Sequence, residues 1–167
     1  NFERQINFFL KNFIVISPGD LENYYYDKKH TVSEKPLLLM TFDDGLKNNL
    51  FAADILYKNK VNALFFIVPD FVNTAETLQK EYFLKHIRPS INPQIDTMPE
   101  DFSALSWYEI KNMILQGHKI GSHTSTHTLL ASETEDKKTI YEIVNSKETL
   151  AKELNIPIQD ISSFASI

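Results

Sequence analysis

The stretch LLLMTFDDG, residues 37–45, decides how the rest of this sequence is interpreted. Its apolar half is too short for a helix and is typical of a buried strand in a parallel sheet. Asp43 and Asp44 follow that strand directly, and Gly45 permits the turn that comes next. Because parallel strands place ligand chemistry just beyond their carboxyl ends, this position favours a functional role for the acidic pair. Taken alone, however, Asp-Asp-Gly is more often an ordinary turn.

Helices and strands alternate downstream of this stretch. A helix is predicted over 47–60 and a second apolar strand over 63–68, which makes a βαβ unit with parallel pairing. Ser106 and Glu109 have the spacing of a capping box and predict the start of another helix, and 119–123 is a short strand. The alternation predicts an α/β chain, either an open sheet or part of a barrel.

The remaining segments are less uniform. Residues 1–25 predict a short amphipathic helix and a short strand, and residues 70–103 predict a long loop or insertion with some helix near 75–85. A long helix is predicted over 133–154, with Ile140, Ile143 and Val144 among its inward-facing residues. Residues 161–167 have the pattern of a strand that stops without a polar tail, so we expect the C-terminus to be incomplete.

Composition excludes several classes of function. The formal net charge is -5 and no dense Lys/Arg run occurs, which argues against nucleic acid or an anionic membrane as the main partner. No segment approaches the roughly 20 apolar residues of a membrane span. The sequence contains no cysteine, so a metal ion would have to be held by histidine and carboxylate.

A second motif, GSHTSTH at 121–127, supplies the histidines. His123 and His127 are four residues apart, and we predict them on one face of a helical turn, close enough to hold one metal ion. They follow a strand, as the acidic pair does. One aspartate and two histidines make three ligands with an open position, which is typical of a catalytic metal site, and the second aspartate is free to act as a base. The alternative is a pair of polar surface residues in a Ser/Thr-rich loop.

Four other residues carry weaker signals. His118 follows a helix end and is interpreted as structural, while His30 and His86 lie in polar segments without a functional pattern. Trp107 stands beside the predicted helix cap and is interpreted as a core residue and not as a platform for a sugar ring.

Together, TFDDG at 41–45 and GHKIGSHTSTH at 117–127 resemble the motifs of the polysaccharide deacetylase family, carbohydrate esterase family 4 with its NodB-homology domain. The apolar strand and the Trp-x-Glu-Ile-x-x-Met-x-x-x-Gly helix between the motifs also fit. The resemblance implies a distorted (β/α)7-type barrel, of which this chain holds the N-terminal part with about four strands. Residues 1–36 resemble a lead-in segment of exopolysaccharide-type members, and 37–167 resemble a catalytic domain that is incomplete at its C-terminus.

The same resemblance implies a function and roles for named residues. The function is metal-dependent removal of acetyl groups from N-acetylated sugars of a polysaccharide or oligosaccharide. Asp43 corresponds to the general base, and Asp44, His123 and His127 correspond to the ligands of a divalent metal ion, with Zn²⁺ the default. Family substrates imply a periplasmic, cell-surface or extracellular location.

Departures from the family pattern keep two alternatives open. Ala165 stands where the third motif of the family places an arginine, and the sequence does not extend to the later Leu-x-His segment that carries the general acid. A non-catalytic carbohydrate- or metal-binding relic of the deacetylase fold is therefore one alternative. A two-His, one-carboxylate Fe(II) oxygenase is another, although a spare aspartate beside the ligand favours hydrolysis.

Overall fold

The computed structural model describes residues 2–26, 34–90, 102–132, 135–157 and 162–163. The helices are α1 (Phe2–Asn12), α2 (Pro18–Tyr26), α3 (Asn49–Lys58), α4 (Pro69–Asn73), α5 (Glu76–Tyr82), α6 (Trp107–Leu115), α7 (Asp136–Ile140) and α8 (Ser146–Leu154). The strands are β1 (Ile14–Val15), β2 (Leu37–Leu38), β3 (Thr41–Phe42), β4 (Leu64–Ile67), β5 (Lys119–Ser122) and β6 (Ser162–Ser163). Two π turns, Phe83–Ile87 and Tyr141–Asn145, extend α5 and join α7 to α8, and Leu130–Ser132 is a 3₁₀ turn.

The strands form two parallel sheets, β1-β2 and β3-β4-β5-β6. The predicted strand 37–42 is interrupted between β2 and β3: β2 pairs with β1, whereas β3 pairs with β4, aligning Phe42 with Phe65. The α/β class and the parallel βαβ unit are therefore confirmed. The strands in the described part of the chain do not close into a barrel, so the barrel itself stays an expectation.

The central strand β4 is buried along its whole length, as expected for an apolar parallel strand covered on both faces. Residues from both faces and from the surrounding helices make the main core, which includes Ile6, Leu56, Phe65, Ile110 and Leu150. A smaller apolar cluster, with Phe71, Phe83 and Ile87 at its centre, lies under α4 and α5. The helices thus pack against the sheet, and the smaller cluster lies where β3 and β4 end. Within the described ranges, no helix has the length and apolar character needed to cross a membrane.

The capping box at the start of α6 is confirmed. The Ser106 hydroxyl accepts a hydrogen bond from the Glu109 N–H at 3.3 Å, and the Glu109 carboxylate accepts one from the Ser106 N–H at 2.7 Å. These reciprocal bonds satisfy two backbone donors that a helix start leaves unpaired. They fix the residue at which α6 begins, and α6 is the helix that leads into β5.

The long helix predicted over 133–154 is only partly right. Residues 133–134 lie outside the described residues, α7 begins at Asp136, and the π turn separates it from α8. Ile140, Ile143 and Val144, expected to face inward, are 58%, 40% and 44% exposed, while Glu142 is 5% exposed. A π turn adds a residue to the helical repeat and so rotates the faces of the helix, which explains why a strict 3.6-residue period fails here.

Other expectations can be checked only in part. The segment 70–103 carries more helix than predicted, since α4, α5 and a π turn occupy most of 69–87, and 91–101 lie outside the described residues. Of the strand predicted over 161–167, only β6 is described, and it pairs with β5. His30 and Ala165 also lie outside the described residues.

His118 has the structural role expected of it. Its buried ring accepts a hydrogen bond at Nδ1 from the Ala63 N–H at 3.2 Å, and its Nε2 lies 3.2 Å from the Ala53 carbonyl, to which it donates. Burial lowers the pKa of His118, against the opposing effects of the Ala53 hydrogen bond and of the Asp54 charge. Protonation would place a second N–H against the Ala63 N–H, so the folded protein holds this ring neutral.

We expect His118 to make the metal-free protein less stable as the pH falls. Because its folded pKa lies below its unfolded value of about 6.5, its contribution is complete above that pH and is lost as the pH falls from that value through the lower folded pKa. His118→Phe should lower the free energy of unfolding at neutral pH by about 2 kcal/mol, since it leaves the buried Ala63 N–H unpaired and removes the hydrogen bond to the Ala53 carbonyl. It should also flatten the dependence of stability on pH.

Urea denaturation between about pH 7.5 and 5.5 measures both effects. His86→Ala is the matched control, because it removes a histidine of lowered pKa but leaves the His118 contacts intact. A pH dependence that is the same in His118→Phe and in the wild type would contradict this assignment.

Candidate metal centre

The two adjacent aspartates occupy different environments at the carboxyl end of β3. Asp44 (φ 74°) and Gly45 (φ 72°) both adopt left-handed backbone conformations, which turn the chain back on itself. A Cβ on Gly45 would lie 3.1 Å from Ile67 Cδ1, which would have to shift by a few tenths of an ångström, and the positive φ itself favours glycine at this position. As a result Asp44 is buried, with 1% of its surface exposed, while Asp43 is exposed.

The two histidines follow β5, on the other side of β4. The His123 N–H donates to the Ile67 carbonyl at 2.9 Å and so continues the ladder between β4 and β5 for one more residue. After it, Thr124 (φ 65°) and His127 (φ 71°) adopt left-handed conformations. The prediction that the pair lies on a helical turn is therefore wrong. Residues 123–127 form a curled loop, which brings the two imidazole centroids to 5.0 Å.

The structure brings Asp44, His123 and His127 together. Asp44 Oδ1 lies 3.1 Å from His127 Nε2 and 3.5 Å from His123 Nε2. One ligand atom from each of the three residues lies within 4.8 Å of the other two. The cluster forms because β3 and β5 flank β4 in one parallel sheet, so that their carboxyl ends open onto the same edge.

The donor set fits a divalent metal ion. His127 Nδ1 lies 2.7 Å from the His86 carbonyl, to which it donates, and this leaves Nε2 directed at Asp44. Histidines that bind metals usually donate their second ring nitrogen in this way, which fixes the tautomer. Two imidazoles and one carboxylate suit Zn²⁺ and related first-row ions and leave coordination positions open.

Arg88, which no sequence pattern indicated, also reaches this cluster. It follows the π turn after α5, and its Nη2 lies 2.9 Å from Asp44 Oδ2. Among the described residues that oxygen has no well-aligned hydrogen-bond donor, so the contact is mainly an attraction between charges. The arginine lies within the segment 70–103, which was predicted to be a long loop or insertion.

These neighbours determine the charge state of Asp44. Burial raises its pKa, but the hydrogen bond from His127 and the charges of His127, Arg88 and His123 outweigh burial, so its pKa lies below the usual value. The hydrogen bond to Asp44 in turn raises the pKa of His127, against the effect of burial. Asp44 is therefore an ionised carboxylate in a buried position, as a ligand for a cation must be.

His86 contributes through its backbone. Its carbonyl orients His127, although the sequence offered no functional pattern around it. Its ring lies 4.6 Å from the Tyr82 ring, next to an open cavity of about 280 Å³. Trp107 fits the structural interpretation: its indole N–H donates to Asn73 Oδ1 at 2.9 Å, and its ring packs against the main core.

One comparison with known proteins identifies a family. The family model described as polysaccharide deacetylase matches residues 30–159, which is more than half of the chain. A search of curated protein sequences gives no match.

Three solved structures share the fold at low identity. The Streptococcus pyogenes deacetylase PplD, in complex with acetate, is 19% identical with a TM-score of 0.68, and the match covers 93% of this chain and 57% of that one. IcaB from Ammonifex degensii is 22% identical with a TM-score of 0.63, covering 93% and 61%. The BpsB deacetylase domain from Bordetella bronchiseptica is 15% identical with a TM-score of 0.67, covering 98% and 67%.

The chain therefore spans only 57% of the PplD structure and 61% of the IcaB structure. Their likeness concerns the fold, whereas the family model concerns the sequence itself. The solved structures show an α/β fold with parallel sheets like that of deacetylases, and the family model matches most of the length of the sequence. This chain belongs to the polysaccharide deacetylase family.

Proposed function

We propose that this chain carries the metal centre and the general base of a hydrolase that removes acetyl groups from N-acetylated sugars of a polysaccharide or oligosaccharide. The observation that carries the proposal is the buried Asp44–His123–His127 cluster with a second, exposed carboxylate, Asp43, next to it in the chain. Membership of the deacetylase family supports the reaction type, and the structurally similar deacetylase PplD is in complex with acetate, which is the product that this reaction would release.

The metal ligands in this proposal are Asp44, His123 and His127, and the ion is Zn²⁺. A divalent cation, when bound, supplies a Lewis acid that polarises an amide carbonyl and lowers the pKa of water. The protein holds the three side chains in place before any ion binds: Asp44 by its left-handed turn, His123 by the strand ladder, and His127 by the His86 carbonyl.

Asp43 is the general base in this proposal. Asp43 directly precedes Asp44 in the chain and is exposed, so it is accessible to a water molecule and to substrate, as proton transfer requires. Its backbone is anchored, since the Asn49 side-chain amide donates to the Asp43 carbonyl at 3.4 Å. Exposure supports this division of labour: the buried carboxylate, Asp44, serves as a metal ligand, and the exposed one, Asp43, accepts the proton from the attacking water.

Family substrates at the cell surface lead us to propose that the protein acts in the periplasm, at the cell surface or outside the cell.

Acetate release from N-acetylglucosamine oligomers, with and without added Zn²⁺, tests this function. We expect release that requires the metal, that a chelator abolishes, and that continues under anaerobic conditions. Binding of the oligomers without release of acetate would favour the non-catalytic relic. A strict requirement for O₂ would favour an Fe(II) oxygenase instead.

A further inference from the structure

Glu142 is a buried carboxylate outside the candidate metal centre, on the π turn between α7 and α8. Burial of a charge is costly unless hydrogen bonds replace its hydration. Thr126 supplies two of them: its N–H donates to Glu142 Oε2 at 2.9 Å, and its hydroxyl donates to Oε1 at 2.6 Å. Thr126 immediately precedes His127, so this carboxylate holds the residue next to a candidate metal ligand.

The backbone of the same π turn holds the neighbouring residue, Ser125. The Ser125 N–H donates to the Glu142 carbonyl at 3.1 Å, and its hydroxyl donates to the Tyr141 carbonyl at 3.2 Å. A π turn displaces the regular helical ladder, which leaves such carbonyls available to donors outside the helix. From the opposite side, the Asp70 N–H donates to the Ser125 carbonyl at 3.1 Å. The middle of the histidine loop is thus held on both sides.

The loop needs such support because of its backbone. Thr124 and His127 both have positive φ, a region that residues other than glycine avoid unless surrounding contacts enforce it. Relaxation of either residue would redirect the His127 ring, whose Nε2 now lies 3.1 Å from Asp44 Oδ1.

We propose that Glu142 is a positioning residue that, through Thr126, holds the loop Thr124–His127 in the conformation that directs His127 at Asp44. The consequence of this positioning role for metal binding rests on the proposed function, whereas the effect of Glu142 on the loop does not. Glu142 touches neither the metal ligands nor the substrate in this account. A carboxylate is suited to the position because it accepts two hydrogen bonds at once and has no proton to donate.

The first test measures the loop itself in the metal-free chain by amide hydrogen exchange. In Glu142→Ala, we expect the Thr126 amide to exchange faster by about tenfold or more, because it loses a charge-assisted hydrogen bond. The matched control is Glu148→Ala, which removes an exposed glutamate from the neighbouring helix and should leave that amide unchanged.

The second test measures the dissociation constant for Zn²⁺ by competition with a chromophoric chelator. Loss of a residue that orients a metal ligand typically weakens affinity by about 10- to 100-fold, and we expect this range for Glu142→Ala. Glu142→Gln should lose less, since its carbonyl can still accept from the Thr126 N–H while the threonine hydroxyl rotates to accept from the amide. Thr126→Val should also weaken binding, and its effect should not add to that of Glu142→Ala, because the hydroxyl bond that it removes is one of the two that Glu142→Ala removes.

The outcomes separate a positioning role from simple packing. A lower melting temperature for Glu142→Ala, with unchanged Thr126 exchange and unchanged Zn²⁺ affinity, would overturn the proposal. If Glu142→Ala does not fold, Glu142→Gln and Thr126→Val are judged by the same two measurements. If the wild-type chain binds no Zn²⁺, the proposed function fails, and the exchange measurement alone decides whether Glu142 holds the loop.

Discussion

Asp43→Asn should reduce acetate release by about 100- to 10,000-fold, the contribution of a general base, while Zn²⁺ still binds at the wild-type level. The substitution keeps the shape of the side chain but removes its capacity to take a proton. Because Asp43 is exposed and Asp44 is buried between His123, His127 and Arg88, the loss of charge at Asp43 should not disturb the cluster.

Parallel assays of acetate release and zinc content measure the two effects separately. Asp136→Asn, at an exposed position at the start of α7, is the control for loss of one negative charge. Loss of the metal in Asp43→Asn, combined with its retention in Asp44→Asn, would show that the two carboxylates have the opposite roles.

His123→Ala should abolish metal binding and, with it, activity. His123 is buried beside Asp44 and supplies one of only three ligands in the proposed site, so a water molecule would have to replace an imidazole in a confined position. We expect a loss of affinity greater than the roughly 100-fold that marks the upper end for supporting residues.

Zinc content after dialysis, and the shift in melting temperature on adding Zn²⁺, both report this loss. His86→Ala is the matched control, because His86 supports His127 through its backbone carbonyl, which alanine retains. An unchanged zinc content in His123→Ala would contradict the proposed ligand set.

Several features of the fold and the site could be predicted from local sequence. The βαβ unit and the capping box at Ser106 each depend on short-range patterns, and the structure has both. The apolar strand before Asp43 and Asp44 is present only in part, since it is interrupted between β2 and β3. The proximity of Asp44 to the two histidines could also be predicted, because parallel strands bring their carboxyl ends to one edge of the sheet whatever the details of the loops.

Arg88 and the His86 carbonyl could not be predicted in this way. Arg88 and the His86 carbonyl belong to a segment whose helices pack over the strand ends. Their contacts with the cluster depend on tertiary structure, and such contacts leave no periodic pattern in the sequence. A backbone carbonyl in particular has no residue type that would identify it.

The histidine loop and Glu142 show a different limit of prediction from sequence. The i, i+4 spacing of His123 and His127 suits a helical turn, but a loop with left-handed Thr124 brings the rings together equally well. The inward-facing Glu142 was missed because apolar periodicity places hydrophobic residues in the core. Here a π turn rotates the helix so that a carboxylate meets the loop instead.

Metal content of the purified chain tests the central claim most directly, with His127→Ala as the paired variant. We expect about one equivalent of a divalent ion per chain, since one cluster of Asp44, His123 and His127 is present in the described residues. The variant should lose this ion. The same low metal content in both proteins after reconstitution with Zn²⁺ would contradict it.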